Sequence, residues 1–351
     1  MNPTNNPIPT GPATHTRNKI IGLIAIVVVI VAVVLYASNG SRLSPQEVLG
    51  RAALTTIDAK ALHTQATIKA SFSLNKTPQE LTLKIIGDAD KTDETNPKVS
   101  MNVSFIGFGL NGDADLKVID RNLYIKINQF PLFPLVSAIA GKWLSLSEND
   151  LKELARQYGT TTITSFDLFD RNTSQKESLA IYKIIQDSGM ISDLKVSGTS
   201  VKNGVKVKTY TINADKASTK KAMAGLIRLS LDKQPKNNKT PAMSEQELLD
   251  KTSEIVDQTV LSPITIDVGT TDNLIHGLRF NISDKPEENS TSTAAFGQIN
   301  VDFDGQYSNY NQKISIESPA TSERIVDLLN SYQKQAAKTK SNSLPASVKT
   351  R

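Results

Sequence analysis

The sequence predicts an α+β protein: one large curved antiparallel sheet with helices between its strand groups, preceded by one transmembrane helix. Three observations predict it. Apolar residues alternate with polar ones through most of residues 66–316, the period of strands with one face on a core and one in water. Segments of helical spacing interrupt this alternation, several of them opened by capping boxes. An uncharged run of 18 residues, Ile20–Ala37, stands ahead of both.

That run reads IIGLIAIVVVIVAVVLYA. At about 1.5 Å per residue it nearly crosses a hydrocarbon core of about 30 Å. It exceeds the apolar stretch of a secretory signal, and Leu35-Tyr36-Ala37 is a poor cleavage site, so the run reads as an uncleaved anchor. Arg17 and Lys19 precede it and only Arg42 follows closely, which places the N-terminus in the cytoplasm and the rest of the chain outside the cell membrane. The expected organisation is a disordered cytoplasmic tail over 1–18, a signal-anchor helix over 19–38, an extracytoplasmic domain over 44–335 and a disordered polar tail over 336–351.

Within the outer domain, Ser44-Pro45-Gln46-Glu47 opens a helix expected over about 45–61. Alternation then predicts strands carrying Ala66 to Leu74, Leu81 to Ile85, Val99 to Phe105, Ala114 to Val118 and Leu123 to Ile127. Helices are expected over 147–158, after Ser174, near 216–232 and after the capping box Ser244–Glu247. Further strands carry Leu194 to Val196, Val205 and Val207 after the turn Asn203-Gly204, Ile264 to Val268, Leu274 to Ile282, Ile299 to Phe303, and Ile314 with Ile316. About ten strands result. Polar segments at 233–243 and 284–293 read as connections.

Composition removes several function classes. With no cysteine there is no disulfide, no thiolate metal site and no lipid-bearing cysteine. The net charge of +5 comes from 40 basic and 35 acidic residues scattered singly, which suits a solvated surface and no nucleic-acid groove. Gly107–Gly112 matches the dinucleotide fingerprint G-x-G-x-x-G, but two amphipathic strands flank it and no helix follows. It reads as a hairpin with Asn111-Gly112 as a turn dipeptide, so no nucleotide or other cofactor is expected. His15, His63 and His276 lie at no metal-ligand spacing, and the acidic stretch Asp88, Asp90, Asp93 and Glu94 lacks the glycine and distal glutamate of a calcium loop. Ser192–Lys195 and Ser218–Lys221 satisfy S-x-x-K without its companion motifs, and G-x-S-x-G is absent, so no enzyme is expected.

The least ordinary stretch is FPLFPLVSAIAGKW, residues 130–143, dense in apolar residues where a connection should be. It packs into the core or guards an apolar cavity.

In order and texture the chain resembles the LolA/LolB-like lipoprotein carriers and the LppX/LprG-type lipid-binding lipoproteins. The resemblance rests on SPQEVLGRAALTTIDAKALHTQATIKASFSL as opening helix and strand, GDADLKVIDRNLYIKI followed by GKWLSLS, and the late SPITIDVGTTDNLIHGLRFNIS and YNQKISIESP. It implies a half-open barrel with helices capping the concave face and an apolar cavity for acyl chains. The missing cysteine departs from those lipoproteins, and the retained anchor departs from soluble carriers.

The expected function is a membrane-tethered extracytoplasmic protein that binds a lipid or lipidated molecule between sheet and helices. By parity, Phe72, Leu83, Ile85, Met101, Val103, Phe105 and His276 face inward, with Leu132, Phe133 and Trp143 near the mouth. His276 reads also as a satisfied structural histidine. The alternative is an envelope interaction or sensor module with the same elements around a filled core.

Overall fold

The computed structural model describes residues 44–74, 77–93, 95–130, 139–158, 180–181, 183–232, 244–284 and 296–342. The apolar run Ile20–Ala37 lies outside them. No helix among the described residues is long and apolar enough to cross a membrane.

Among the described residues, thirteen strands and the helices named below alternate in the order expected, with additions, and residues 180–181 and 183–188 are helical where a helix after Ser174 is expected. They are α1 (Pro45–Asp58), β1 (Ala61–Leu74), β2 (Thr77–Asp90), β3 (Lys98–Gly107), β4 (Leu110–Ile119), β5 (Asn122–Gln129), β6 (Trp143–Ser147), α2 (Glu148–Tyr158), β7 (Leu194–Lys202) and β8 (Val205–Ile212). Then come α3 (Lys216–Asp232), α4 (Glu245–Asp257), β9 (Thr259–Leu261), β10 (Ile264–Gly269), β11 (Ile275–Asp284), β12 (Phe296–Ser308), β13 (Glu323–Arg324) and α5 (Ile325–Asn342). The strands form one open sheet in the order β13-β6-β5-β4-β3-β2-β1-β12-β11-β10-β8-β7, with β9 on β11.

The chain divides into two compact units. The first holds the described residues of 1–58, 66–82 and 175–308, and the second those of 59–65, 83–174 and 309–351, so β1 and β2 serve both.

The first unit has a closed core. Register aligns Ile264 with Ile212, and Ile266 with both Tyr210 and Leu278, so these side chains share one face. All five are buried, and burial pushes the Tyr210 phenol above its ordinary pKa. On β11 and β12, Phe280 opposes Phe303 with rings stacked at 4.9 Å, and Ile282 opposes Val301. Helix α1 contacts β7, β10 and β11. Its fully buried Ala52 and Ala53 carry no bulk to hold it off, and the Thr56 hydroxyl accepts the Ile275 amide at 2.9 Å. On the opposite face, buried Asp267 accepts from the Thr209 hydroxyl at 2.6 Å and from Arg279 Nη2 at 3.0 Å, pinning β8, β10 and β11 together.

The second unit is built from hairpins. Gly107 pairs with Leu110 across Phe108 and Gly109, both at positive φ (56° and 71°), as a two-residue mirror-image turn requires. Asp120 and Arg121 do the same between β4 and β5. The turn is therefore not at Asn111-Gly112, which lies inside β4. Gly112 instead opposes Phe105, whose ring occupies the space a Cβ would fill, 2.0 Å away.

Four further expectations are corrected. Ile314 and Ile316 form no strand; they lie in an irregular segment, where Ile316 is buried and the Glu317 carbonyl accepts from Lys117. The sheet is not wholly antiparallel, because β13 pairs with β6 in parallel over two residues. Helix α5 runs to Asn342, into the tail expected from 336, since Ala336, Ala337 and the lysines after them favour helix. Helix α1 stops at Asp58, and β1 begins at Ala61.

The Asp150 carboxylate fastens the end of this unit. Ser147 and Asp150 form a reciprocal cap for α2, the Ser147 amide donating to Asp150 Oδ2 at 2.8 Å and the Asp150 amide to Ser147 Oγ at 3.1 Å. The Arg324 guanidinium, between β13 and α5, donates to the other carboxylate oxygen. Burial alone would push this carboxyl up; the Ser147 donors and Arg324 outweigh it and hold it below the ordinary carboxylate value.

Two outcomes are expected. Asp150→Ala lowers stability at neutral pH by about 2 kcal/mol. Because the folded carboxyl titrates below the unfolded one, this contribution is complete above the unfolded value and is lost as pH falls through the folded one. Urea titrations from pH 7 to pH 3 should show wild type and variant converging at the acid end; a constant gap would remove Asp150 from the acid response. Second, Phe280→Ala should cost about 3–5 kcal/mol, whereas Phe105→Ala, on a half-buried face, should cost about 2 kcal/mol. Equal losses in chemical denaturation would mean that the two faces are equally closed.

Candidate functional site

The candidate face is the apolar side of β2 to β5 in the second unit. Direct cross-strand register builds it row by row: Val99, Val118 and Leu123; Met101, Leu116 and Ile125; Val103, Ala114 and Ile127. Leu144 and Leu146 on β6 extend the first two rows. On β2, Leu83, Ile85 and Gly87 alternate onto one side. A Cβ on Gly87 would lie 2.9 Å from the Met101 Cβ and 2.8 Å from the Ser100 carbonyl oxygen, so all three share the Met101 face. The glycine lets β2 lie close to β3.

This face is apolar and only half-buried. Leu83, Ile85, Met101, Val103, Phe105, Ala114, Leu116, Ile125 and Ile127 are all half-buried, and their rows reach full burial at Val118 and Leu144. The corresponding face of the first unit is buried almost throughout. At one end the Phe105 ring lies over Gly112 and meets Phe130 edge-on, with centroids 5.7 Å apart.

The opposite side of the same strands is polar and internally satisfied. Asn102 donates to Asp113 and Asp115, each at 2.9 Å, and Asn128 to the same two carboxylates at 2.6 and 2.9 Å. Trp143 stands on this side, opposite Lys126. Lys117 and Lys126 lie 5.3 and 5.9 Å from its ring centroid, a cation–π arrangement.

The structure thus joins five of the ten candidate residues, Leu83, Ile85, Met101, Val103 and Phe105, on one face. Trp143 is the first residue of β6 and points to the other side. Phe72 is half-buried on β1, in the first unit. His276 also belongs to the first unit. It is the extra residue of a bulge between β10 and β11, and its Nε2 lies 2.9 Å from Asp272 Oδ2, closing its own hairpin turn. Leu132 and Phe133 lie outside the described residues. Leu116, Ile125 and Ile127 complete the face; their alternation marked them as inward, but only register sets them beside Met101 and Val103.

The other motifs serve local structure. Asp215 caps α3: its Oδ1 accepts from the Ser218 amide at 2.8 Å, and its carbonyl accepts from the Ser218 hydroxyl at 3.0 Å. Lys195 pairs with Asp193 at 2.9 Å. Asp90 and Asp93 accept from Thr92 and Thr95 in their own turns. His63 Nδ1 lies 2.8 Å from Asp88. Among the described residues no group of three acids or histidines could hold a metal ion.

No protein-family model matches this sequence, and no curated protein matches it. Solved structures do. LprF from Mycobacterium bovis is similar at 12% identity and a TM-score of 0.37, over 79% of this chain and 97% of that one. The Mycobacterium tuberculosis lipoprotein LppX is similar at 12% identity and a TM-score of 0.32, over 76% and 94%. A putative outer membrane lipoprotein-sorting protein domain from Vibrio parahaemolyticus follows at 6% identity and a TM-score of 0.17, over 79% and 91%. These neighbours are of the two kinds that the sequence resembles: LppX-type lipoproteins and a lipoprotein-sorting domain.

Proposed function

We propose that this protein binds a lipid, or the acyl chains of a lipidated molecule, on the apolar face of β2 to β5, and does so outside the cell while tethered by Ile20–Ala37. The supporting observation is the face itself. From Val99 to Phe105 it runs about 20 Å, and four strands make it about 14 Å wide. Along it, apolar side chains stay half-exposed where an ordinary core would bury them. An acyl chain laid there gains about 0.8 kcal/mol per buried methylene, so twelve methylenes contribute about 10 kcal/mol before the ordering cost of binding. No hydrogen-bonding group interrupts the rows, so the site would select for chain and not for headgroup.

The role is that of a binder and not an enzyme. Both S-x-x-K serines lie in local turn or cap structure, and among the described residues no nucleophile stands beside a base on the apolar face. The tether is short: from Ala37 to Pro45 the extended chain reaches at most about 28 Å, which keeps the outer domain near the bilayer from which it would take its ligand.

The test is native mass spectrometry of the chain from residue 41 onward, purified without detergent, with solvent extraction of whatever is bound. A stoichiometric acyl lipid is expected. Val103→Glu should lower uptake of a fluorescent fatty acid at least about tenfold while the unfolding midpoint changes little, because a half-exposed carboxylate keeps its water but excludes an apolar chain. An empty protein that takes up no added lipid would overturn the proposal.

A further inference from the structure

A second exposed apolar strip lies in the first unit, at the end of the strand order. Strand β7 is the terminal strand among the described residues, and residues 195–201 are all exposed. Val196 is 44% and Val201 68% exposed.

Register shows that these two valines are not random surface residues. Val196 opposes Tyr210; Ser197 is then the extra residue of a bulge, and Thr199 and Val201 oppose Lys208 and Lys206. Val196, Thr199 and Val201 therefore share the face of Tyr210, which two strands further in is the closed core of Ile266 and Leu278. The core face simply continues outward to an edge on which no other described strand pairs. Beyond it lies a row of outward-pointing backbone N–H and C=O groups, a template for one more strand.

Charge says what kind of strand. The hairpin Leu194–Ile212 contains Lys195, Lys202, Lys206 and Lys208 and no acid. Lys206 and Lys208 stand exposed on the same face as the valines, Lys208 reaching over the Tyr210 ring at 5.9 Å. A second copy of this edge would bring like charges together, since antiparallel pairing sets Lys195 near Lys202. A lipid surface would leave the backbone groups of β7 without partners. An extended acidic peptide satisfies all three: backbone to backbone, apolar side chains on Val196 and Val201, carboxylates against the lysines.

We propose that β7 is a docking edge for an extended acidic segment of a partner protein, added as a further strand. The bulge and the lysines keep the edge from pairing with itself or with neutral strands, and so make it selective.

The test uses the full chain in phosphatidylcholine nanodiscs and two fluorescent nonapeptides of one pattern, Glu-Val-Glu-Val-Thr-Val-Glu-Val-Glu and its lysine counterpart. The glutamate peptide should bind at least about tenfold tighter by anisotropy, weaken with salt, and protect the amides of 195–201 from hydrogen exchange. Lys195→Glu with Lys202→Glu, on the face that the peptide's glutamates take when its valines meet Val196 and Val201, should reverse the preference. Val201→Glu, at a more exposed position, should weaken the glutamate peptide by itself. Equal binding of the two peptides, or binding without protection of 195–201, would overturn the proposal. So would protection of those amides without peptide, whether in a dimer of the chain or on exchanging the lipid for phosphatidylglycerol.

Discussion

Strand register is the constraint on which the candidate face depends. A slip of one residue between β3 and β4 would move every side chain of one strand to the other side. Two local features prevent it. Phe108 and Gly109 both adopt the left-handed conformation that a two-residue mirror-image turn requires, and Gly112 leaves the space into which the Phe105 ring folds. With that pair fixed, Met101 meets Leu116 and Val103 meets Ala114, and the acids Asp113 and Asp115 fall together on the other side with Asn102 and Asn128 to hold them. One apolar and one polar face follow from a single hairpin. The mirror-image turn at Asp120-Arg121 carries the same register to β5, at the cost of two non-glycine residues at positive φ, which the Arg121–Glu148 pair at 2.9 Å helps to offset.

The two units use the same strand chemistry to different ends. In the first, alternating Ile, Leu and Phe residues are stacked, opposed and covered, α1 lying close because Ala52 and Ala53 let it. Polar groups in that unit are spent on structure: Asp267 joins three strands and His276 closes a turn. In the second, similar residues on β2 to β5 remain half-exposed, and strong polar anchoring is displaced to the rim, where Asp150 binds Ser147 and Arg324. A polar-anchored frame around a half-buried apolar face suits the proposed ligand, which must enter and leave.

Much of this was legible because alternation and capping are local. The box Ser244–Glu247 opens α4 as read, and α3 spans 216–232 as read. The turn Asn203-Gly204 lies where its sequence puts it, at φ of 48° and 80°. What failed was decided at long range. Asn111-Gly112 has the better turn chemistry, yet Phe105 claims Gly112 as its partner across the strand. Trp143 looked like part of an apolar lid, but pairing with Lys126 turns it outward, a fact no local pattern contains. Ile314 and Ile316 alternate like a strand and find no ladder. The short strands β9 and β13 carry almost no periodicity, and they exist because β11 and β6 offer edges to them. His276 is buried, as its parity suggests, but as the extra residue of a bulge it closes its own turn.

The two exposed apolar surfaces differ in the one property that decides their occupants. The interior of a sheet face has its backbone hydrogen bonds already made to neighbouring strands, so a ligand there finds only side chains, and Met101, Val103 and Leu116 reward burial without direction. A chain lacking donors and acceptors loses nothing by lying on it. At the β7 edge the backbone is still unmatched on one side, and a hydrocarbon would strand those groups away from water. On the two proposals the edge discriminates against the ligand of the face, and Lys195 and Lys202 sharpen that discrimination by sign of charge. Both surfaces expose valine and neither is a defect of packing. Whether such a residue invites a lipid or a polypeptide is settled by the state of the backbone beside it, which register and strand order supply and composition does not.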